Sequence, residues 1–290
     1  MLLSDLYLDV IQNKKEKISL IHDEFFDDIV KEASRRWIDY KPTKKEILSI
    51  GVDSSWNKRS YQGIDLFVID CVAVTSYNKI LCSRWNYGIN TIGGDSLSSE
   101  AMTMEIDLSL SVLDEKEGKP CLICVDGSII SNLIRYKNSV YANKVKSLFD
   151  HAGDSIILFI SKNSNTKNQF KKLGSKAADM YYFNRIGFNA GFSLPNHNPN
   201  FFNFFDVVEV YARLSPFVPL IKIELVSNNP LPENRIRDII DMLYCNSIKG
   251  YPFCLRLAHM SCKITNDDVK RIASIYGLKN EFGSRESLNE

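Results

Sequence analysis

No apolar stretch in this chain approaches the ~18–20 residues that a bilayer-spanning helix requires, which excludes a membrane span of that kind. The first residues, Met1 to Lys14, put an acid early and lysines after the apolar part, which is not the order of a secretory leader. There is no excess charge of either sign: 36 lysines and arginines face 35 acids, for a formal net charge of +1. A global basic field is therefore excluded, and a nucleic-acid surface must be a local patch. No G-x-x-x-x-G-K-S/T phosphate loop occurs. The chain has no low-complexity linker and no internal repeat. Seven cysteines form an odd set in a long chain, which is not a disulfide framework. Cys121 and Cys124 make a C-x-x-C pair with no second pair behind it. On a strand, positions three apart face opposite ways, so these two read as small core side chains. The expectation is a cytoplasmic protein with no membrane contact.

What remains is ordinary globular material, 290 residues that are 44% hydrophobic and 24% charged. That length supports one large domain or two small ones. Helical spacing runs through Leu2 to Trp37 and stops before Pro42. Ile47 to Val52 is a short apolar run that ends at Asp53, and two further strands, Asp65 to Thr75 and Lys79 to Tyr87, follow. Gly93-Gly94-Asp95 opens a helix over about Ser98 to Glu117; Cys121 to Asp126 is the next strand, Ser131 to Asp150 a helix, and Ser155 to Ser161 a strand. Three strands, helix, strand, helix, strand is the order of an RNase H-like α/β domain, a mixed sheet with flanking helices. Val207 to Arg213 and Leu220 to Val226 predict a strand pair, Glu233 to Ser247 a helix, and Asn266 the cap of a last helix. The predicted organisation is an N-terminal helical segment over 1–44 that serves as a dimerisation element, a main domain over 45–280 with C-terminal α/β elaborations, and a polar tail over 281–290.

Two strands end in an acid followed by small residues: Gly51-Val52-Asp53-Ser54-Ser55-Trp56 and Val125-Asp126-Gly127-Ser128. In open mixed sheets, ligands gather beyond the carboxyl ends of strands. The helix between them offers Glu100, Glu105 and Asp107, and Glu105 lies among Met102, Met104, Ile106 and Leu108. A carboxylate in apolar company is costly unless it is paired or metal-bound. Carboxylates that converge repel one another, and a divalent cation turns that repulsion into a site for phosphodiester hydrolysis, one ion activating water and a second stabilising the leaving oxygen. Oxygen ligation suits Mn²⁺, with Mg²⁺ as the alternative. Acids after strands also serve as plain turn and cap residues, so both readings stand on spacing alone.

An ordered set of segments resembles the NurA nucleases. It comprises Gly51-Val52-Asp53-Ser54-Ser55, Val125-Asp126-Gly127-Ser128, Ile160-Ser161-Lys162-Asn163-Ser164, Ala190-Gly191-Phe192-Ser193, Leu220-Ile221-Lys222-Ile223-Glu224 and Gly250-Tyr251-Pro252-Phe253-Cys254-Leu255-Arg256-Leu257-Ala258-His259. No single segment is specific; the order is. The resemblance implies an RNase H-like fold and a Mn²⁺-dependent deoxyribonuclease, a 5′→3′ exonuclease on single- and double-stranded DNA with single-strand endonuclease activity. It further implies a ring-like homodimer that works in double-strand break end resection with a hexameric HerA-type ATPase. It carries over Asp53, Glu105, Asp126 and His259 as metal ligands and Lys162 as a catalytic lysine, with Glu100 one turn away as the rival to Glu105. Tyr251 matches as a DNA-binding position. Where many relatives have Asp-Gly-Ser this chain has Asp53-Ser54-Ser55.

Trp56 would stand at the mouth of such a site and contact DNA. Lys167, Lys171, Lys172 and Lys176, with Arg185, form the densest basic stretch; on a helix they make a partial stripe for phosphates, with Lys171 and Lys172 at its centre. Phe201 to Phe205 offers either base stacking or burial. The rival functions are a non-catalytic DNA-end or translocase adaptor on the same fold, and a phosphotransferase of the actin-like kind, for which Gly93-Gly94 is a thin phosphate loop.

Overall fold

The computed structural model of the chain describes residues 3–61, 63–90, 94–116, 118–201, 203–227 and 229–278. In chain order the elements are α1 (Leu3–Ser19), α2 (Phe26–Arg35), β1 (Trp37–Asp39), β2 (Ser49–Tyr61), β3 (Ile64–Thr75), β4 (Ile80–Asn90), α3 (Gly94–Glu115), β5 (Leu122–Asp126), α4 (Ile129–Tyr136), α5 (Ser139–Asp150) and β6 (Ile156–Ser161). There follow α6 (Asp179–Phe183), β7 (Gly191–Ser193), β8 (Asn196–Phe201), β9 (Phe205–Arg213), β10 (Ile221–Val226), α7 (Glu233–Cys245), β11 (Ser247–Ile248), β12 (Tyr251–Pro252), α8 (Phe253–Ser261) and α9 (Asn266–Ile275). They gather into two compact units: residues 1–45, 160–201 and 206–250 form the first, and 46–159, 202–205 and 251–290 the second.

The second unit holds the RNase H-like core. Its strands run in the order β6-β5-β2-β3-β4, with Ile156–Phe159 as its part of β6. β2 is antiparallel to β3 and parallel to β5, and β3 is antiparallel to β4, so the sheet is mixed. Alternation along β3 explains its two coats. Phe67 and Ile69 pack against Leu97 and Ala101 of α3, while Val72 and Val74 pack on the other side against Ala258 of α8 and Cys262 at its C-cap. Each fully buried aliphatic side chain, such as Ile50 or Leu66, contributes about 1.5–3 kcal/mol. On the α8 side, α9 closes over Tyr61 and Leu66 with Val269 and Ala273, and its start is fixed by a capping box between Thr265 and Asp268.

In the first unit β1 pairs with β7, β7 with β9, and β9 with β10, all antiparallel. Glu209 and Glu224 face each other across the β9–β10 ladder and are buried, and both lie against the buried Lys222 ammonium, Glu209 at 2.7 Å and Glu224 at 2.5 Å. Burial disfavours the Lys222 charge, yet its two carboxylates outweigh that and raise its pKa. α2 packs Ile29 and Ala33 against Phe170, Tyr182 and Phe183, whereas α1 buries no residue.

Several sequence expectations need correcting. Asp53 does not end its strand: β2 runs on to Tyr61, because β3 continues to pair with it. The first helical stretch is two helices with a strand behind them, and the stretch 131–150 is interrupted where Lys137 takes a left-handed φ of 46°. Thr265, not Asn266, caps the last helix. The basic stretch is not helical: Lys171–Leu173 is a single 3₁₀ turn and the Lys167 ammonium is tied to the carbonyl of Lys176, so no helical stripe exists. Gly93 and the tail over 281–290 lie outside the described residues.

Candidate active site

The parallel register of β2 and β5 brings two acids together. Val52 pairs with Val125, so Asp53 and Asp126 are the next residue of each strand. β5 stops there. Gly127 takes a φ of 113°, open to glycine at little cost, and Ser128 then caps α4 by accepting from the Ser131 amide. Beyond Asp53, β2 pairs on with β3, while its ladder with β5 ends at Val52.

Asp53 faces α8. The close approach of that helix depends on Gly51, two residues back on the same face, where an added Cβ would overlap the backbone of Cys254 and Leu255. α8 in turn places His259, whose Nδ1 stands 3.0 Å from Oδ2 of Asp53. The carboxylate is buried, while the imidazole is 58% exposed. Ser54 faces the other way, toward α3, and its hydroxyl donates to Oε1 of the buried Glu105. Its amide donates to Oδ1 of Asp53 at 2.8 Å, so one residue touches two of the acids. Tyr251 donates its hydroxyl hydrogen to Oδ1 of Asp126 at 3.1 Å.

The electrostatics are those of crowded carboxylates. Burial, then repulsion from Asp126, pushes Asp53 up to about 6, against the opposing effect of His259. Burial and then the Asp53 charge raise Glu105 well above the usual carboxylate range. Burial and the Asp126 charge raise the Tyr251 phenol, which therefore stays a hydrogen-bond donor. Among the described residues no three acid, histidine or cysteine side chains close into a ligand shell; each of these three acids accepts a hydrogen bond, from His259, Ser54 or Tyr251. Asp53 and Glu105, both raised by burial and by neighbouring acids, with Asp126 and an imidazole beside them, are a donor set that fits a divalent cation such as Mn²⁺ or Mg²⁺.

Thus Asp53, Glu105, Asp126, Tyr251 and His259 come together in one unit. Glu100 does not join them, since its carboxylate accepts from Asn86 of β4. Trp56 is 36% exposed and by strand alternation lies on the Ser54 side of β2, not on the Asp53 side. Lys162, Lys171 and Lys172 are exposed residues of the first unit. Ser54 was missed by sequence reasoning, which counted it among the small residues after Asp53 and gave it no bond to an acid.

The sequence profile of the NurA domain matches residues 48–264. The chain is 24% identical to the "DNA double-strand break repair nuclease NurA" of Sulfurisphaera tokodaii, over 96% of each chain. It is 22% identical to the protein of that name from Sulfolobus acidocaldarius, over 91% of this chain and 93% of the other. The fold superimposes on the NurA nuclease from Sulfolobus solfataricus with a TM-score of 0.78 at 20% identity, covering 96% of this chain and 97% of that one. A NurA structure bound to dAMP and manganese matches at a TM-score of 0.64 and 13% identity over all of both chains. With the family profile covering most of its length, the chain belongs to the NurA domain family.

Proposed function

We propose that this protein is a divalent-metal-dependent deoxyribonuclease, a 5′→3′ exonuclease on single- and double-stranded DNA with single-strand endonuclease activity. The observation that carries the reading is the group of acids from β2, α3 and β5, with Tyr251 and His259 against them. The names of the relatives and the dAMP and manganese of one solved NurA support it.

Asp53, Glu105, Asp126 and His259 are the groups that would hold Mn²⁺, or Mg²⁺ in its place. Bound there, the cation supplies charge neutralisation at the phosphate and a lowered pKa for attacking water. The residues do the rest. Ser54 fixes the Glu105 carboxylate, and Tyr251 holds Oδ1 of Asp126. Lys162 neutralises charge that develops on the phosphate. Trp56, Tyr251, Lys171 and Lys172 contact the DNA strand, the lysines through phosphates that carry no base information. The protein acts as a homodimer in double-strand break end resection with a hexameric HerA-type ATPase.

The test is digestion of end-labelled single- and double-stranded DNA with and without Mn²⁺, with and without a HerA-type hexamer. Metal-dependent shortening from the 5′ end supports the reading. DNA ends bound but never cut, with any divalent metal, would leave an adaptor.

A further inference from the structure

Helix α8 meets the acids along one flank. Tyr251, just before it, bonds Asp126, and His259 in its last turn bonds Asp53. The buried stripe of the helix is Cys254, Leu255 and Ala258. Leu257, on the opposite flank from His259, packs on the cluster of Val72 and Val74, so the His259 flank is the one turned to the acids. Arg256 precedes His259 by three residues, which puts it about 60° round the axis on that flank, with Cβ atoms about 5–6 Å apart. It thus stands along α8 between the residue that holds Asp126 and the residue that holds Asp53. Lys263 follows directly behind the helix. The next amide, that of Ile264, meets the Ser55 hydroxyl at 3.4 Å. Ser55 is the next residue after Asp53 on the same face of β2, about 7 Å along the strand.

Both of these cations are uncommitted. Arg256 and Lys263 are exposed, and among the described residues neither side chain makes an ion pair or a hydrogen bond. Other cations of the same unit are already paired, Lys58 with Asp65, Lys144 with Asp107 and Lys270 with Asp267. From Tyr251 to Thr265 the chain contains no acid, and its only charged side chains beside His259 are these two. Seven residues apart, they lie about 10 Å from each other along the line of α8, with His259 between them.

The acids themselves explain why such partners are needed. Asp53, Glu105 and Asp126 present a negative field to a DNA strand, whose phosphates it repels. Neutralisation at the acids serves the one phosphate under attack, and the phosphates before and after it require cations of their own. Arg256 offers a planar fork that matches two phosphate oxygens, and Lys263 a compact point charge. We propose that Arg256 and Lys263 form a phosphate track on α8, each holding one of the two phosphates that flank the scissile one. The assignment rests on the DNA-nuclease reading above and adds two strand-positioning residues to it.

A methylphosphonate scan tests it: fluorescence anisotropy in Ca²⁺ with single-stranded oligonucleotides, each carrying one neutral methylphosphonate at a different position. The parent protein should lose about tenfold in affinity at two phosphates with one between them, the range of one charge-assisted hydrogen bond each. The phosphate between them should be the one cut in Mn²⁺. Arg256→Ala should lose about tenfold on the unmodified strand and show no further loss at one of the two positions. Lys263→Ala should do the same at the other. Each variant should also lower the slope of log affinity against log salt by about 0.7, and Arg256→Lys should restore it. A parental scan profile in either variant, or a loss spread evenly over all positions, overturns the track. Should the parent show the scan pattern yet cut no DNA, the track stands and the nuclease reading falls. A parent that cuts DNA but gives a flat scan keeps the nuclease reading and removes the track.

Discussion

The Nδ1 atom of His259 stands 3.0 Å from Oδ2 of Asp53, a half-exposed imidazole against a buried carboxylate. Burial raises the Asp53 pKa and the imidazole opposes that rise, so the pair sets where Asp53 ionises. His259→Ala should therefore cut the cleavage rate at least tenfold at neutral pH and move the acid limb of the pH–rate profile upward from its parental midpoint. A full pH profile of both proteins decides it; a lower plateau with an unmoved limb would remove His259 from the control of Asp53.

Asp53 also predicts how the metal-free fold responds to pH. Its folded pKa of about 6 exceeds the ordinary 3.8, so the folded state holds a proton that the unfolded chain releases between those values. The stability that Asp53 contributes is then fully present below about 4 and is lost as pH rises through 6. Glu105 is raised as well and adds to the same slope. Asp53→Asn should flatten the fall of melting temperature from pH 4 to 6 and raise the melting temperature at pH 7 in chelator. Adding Mn²⁺ at pH 7 should stabilise the parent more than the variant. Thermal melts that show an equal slope in both proteins would refute the crowding of these carboxylates.

Glu105 and Glu100 separate cleanly. Glu105 is buried against Ser54 and feels the Asp53 charge, whereas Glu100 is held by Asn86. Glu105→Gln should reduce cleavage at least a hundredfold, and Glu100→Gln should leave the rate of cutting bound DNA within about threefold. Single-turnover rates at saturating protein measure both. Inverted results would shift the third acid one turn along α3.

Gly51→Ala tests the seat of α8. The added methyl has no space against the Cys254 and Leu255 backbone, so α8 must lift from β2 and carry His259 with it. Overpacking of this kind costs about 1–3 kcal/mol, more when backbone is the obstacle. Urea denaturation should show the loss, with activity falling further than at an equally destabilised site far from α8. Parental stability in this variant would contradict the close approach.

Much of the fold could be read from period and punctuation. The alternating runs of β2 to β4 and the short apolar β5 specify a mixed sheet, and Val52-Asp53 and Val125-Asp126 mark where its parallel pair ends. Asp53 as a strand end was misjudged because the polar residues from Ser54 to Ser60 hide a strand that β3 pairing sustains. The lysines from 167 to 176 have a helix-like spacing, but the turn around Lys171–Leu173 and the bond from Lys167 to the Lys176 carbonyl override it. Within the site, Asp53, Asp126, Tyr251 and His259 were visible through ordered motifs. The Ser54–Glu105 bond was not, since nothing local in either segment signals a partner 51 residues away.

The central claim is that Asp53 and Asp126, neighbours by the β2–β5 register, work as one metal-holding pair. The direct measurement is Mn²⁺-dependent cleavage of end-labelled DNA by the parent, Asp53→Ala and Asp126→Ala, each checked for parental folding by circular dichroism. Either substitution should lower the rate a hundredfold or more, on the order of 3 kcal/mol of barrier, with the fold intact. A folded variant of either kind that digests DNA at the parental rate would contradict the claim.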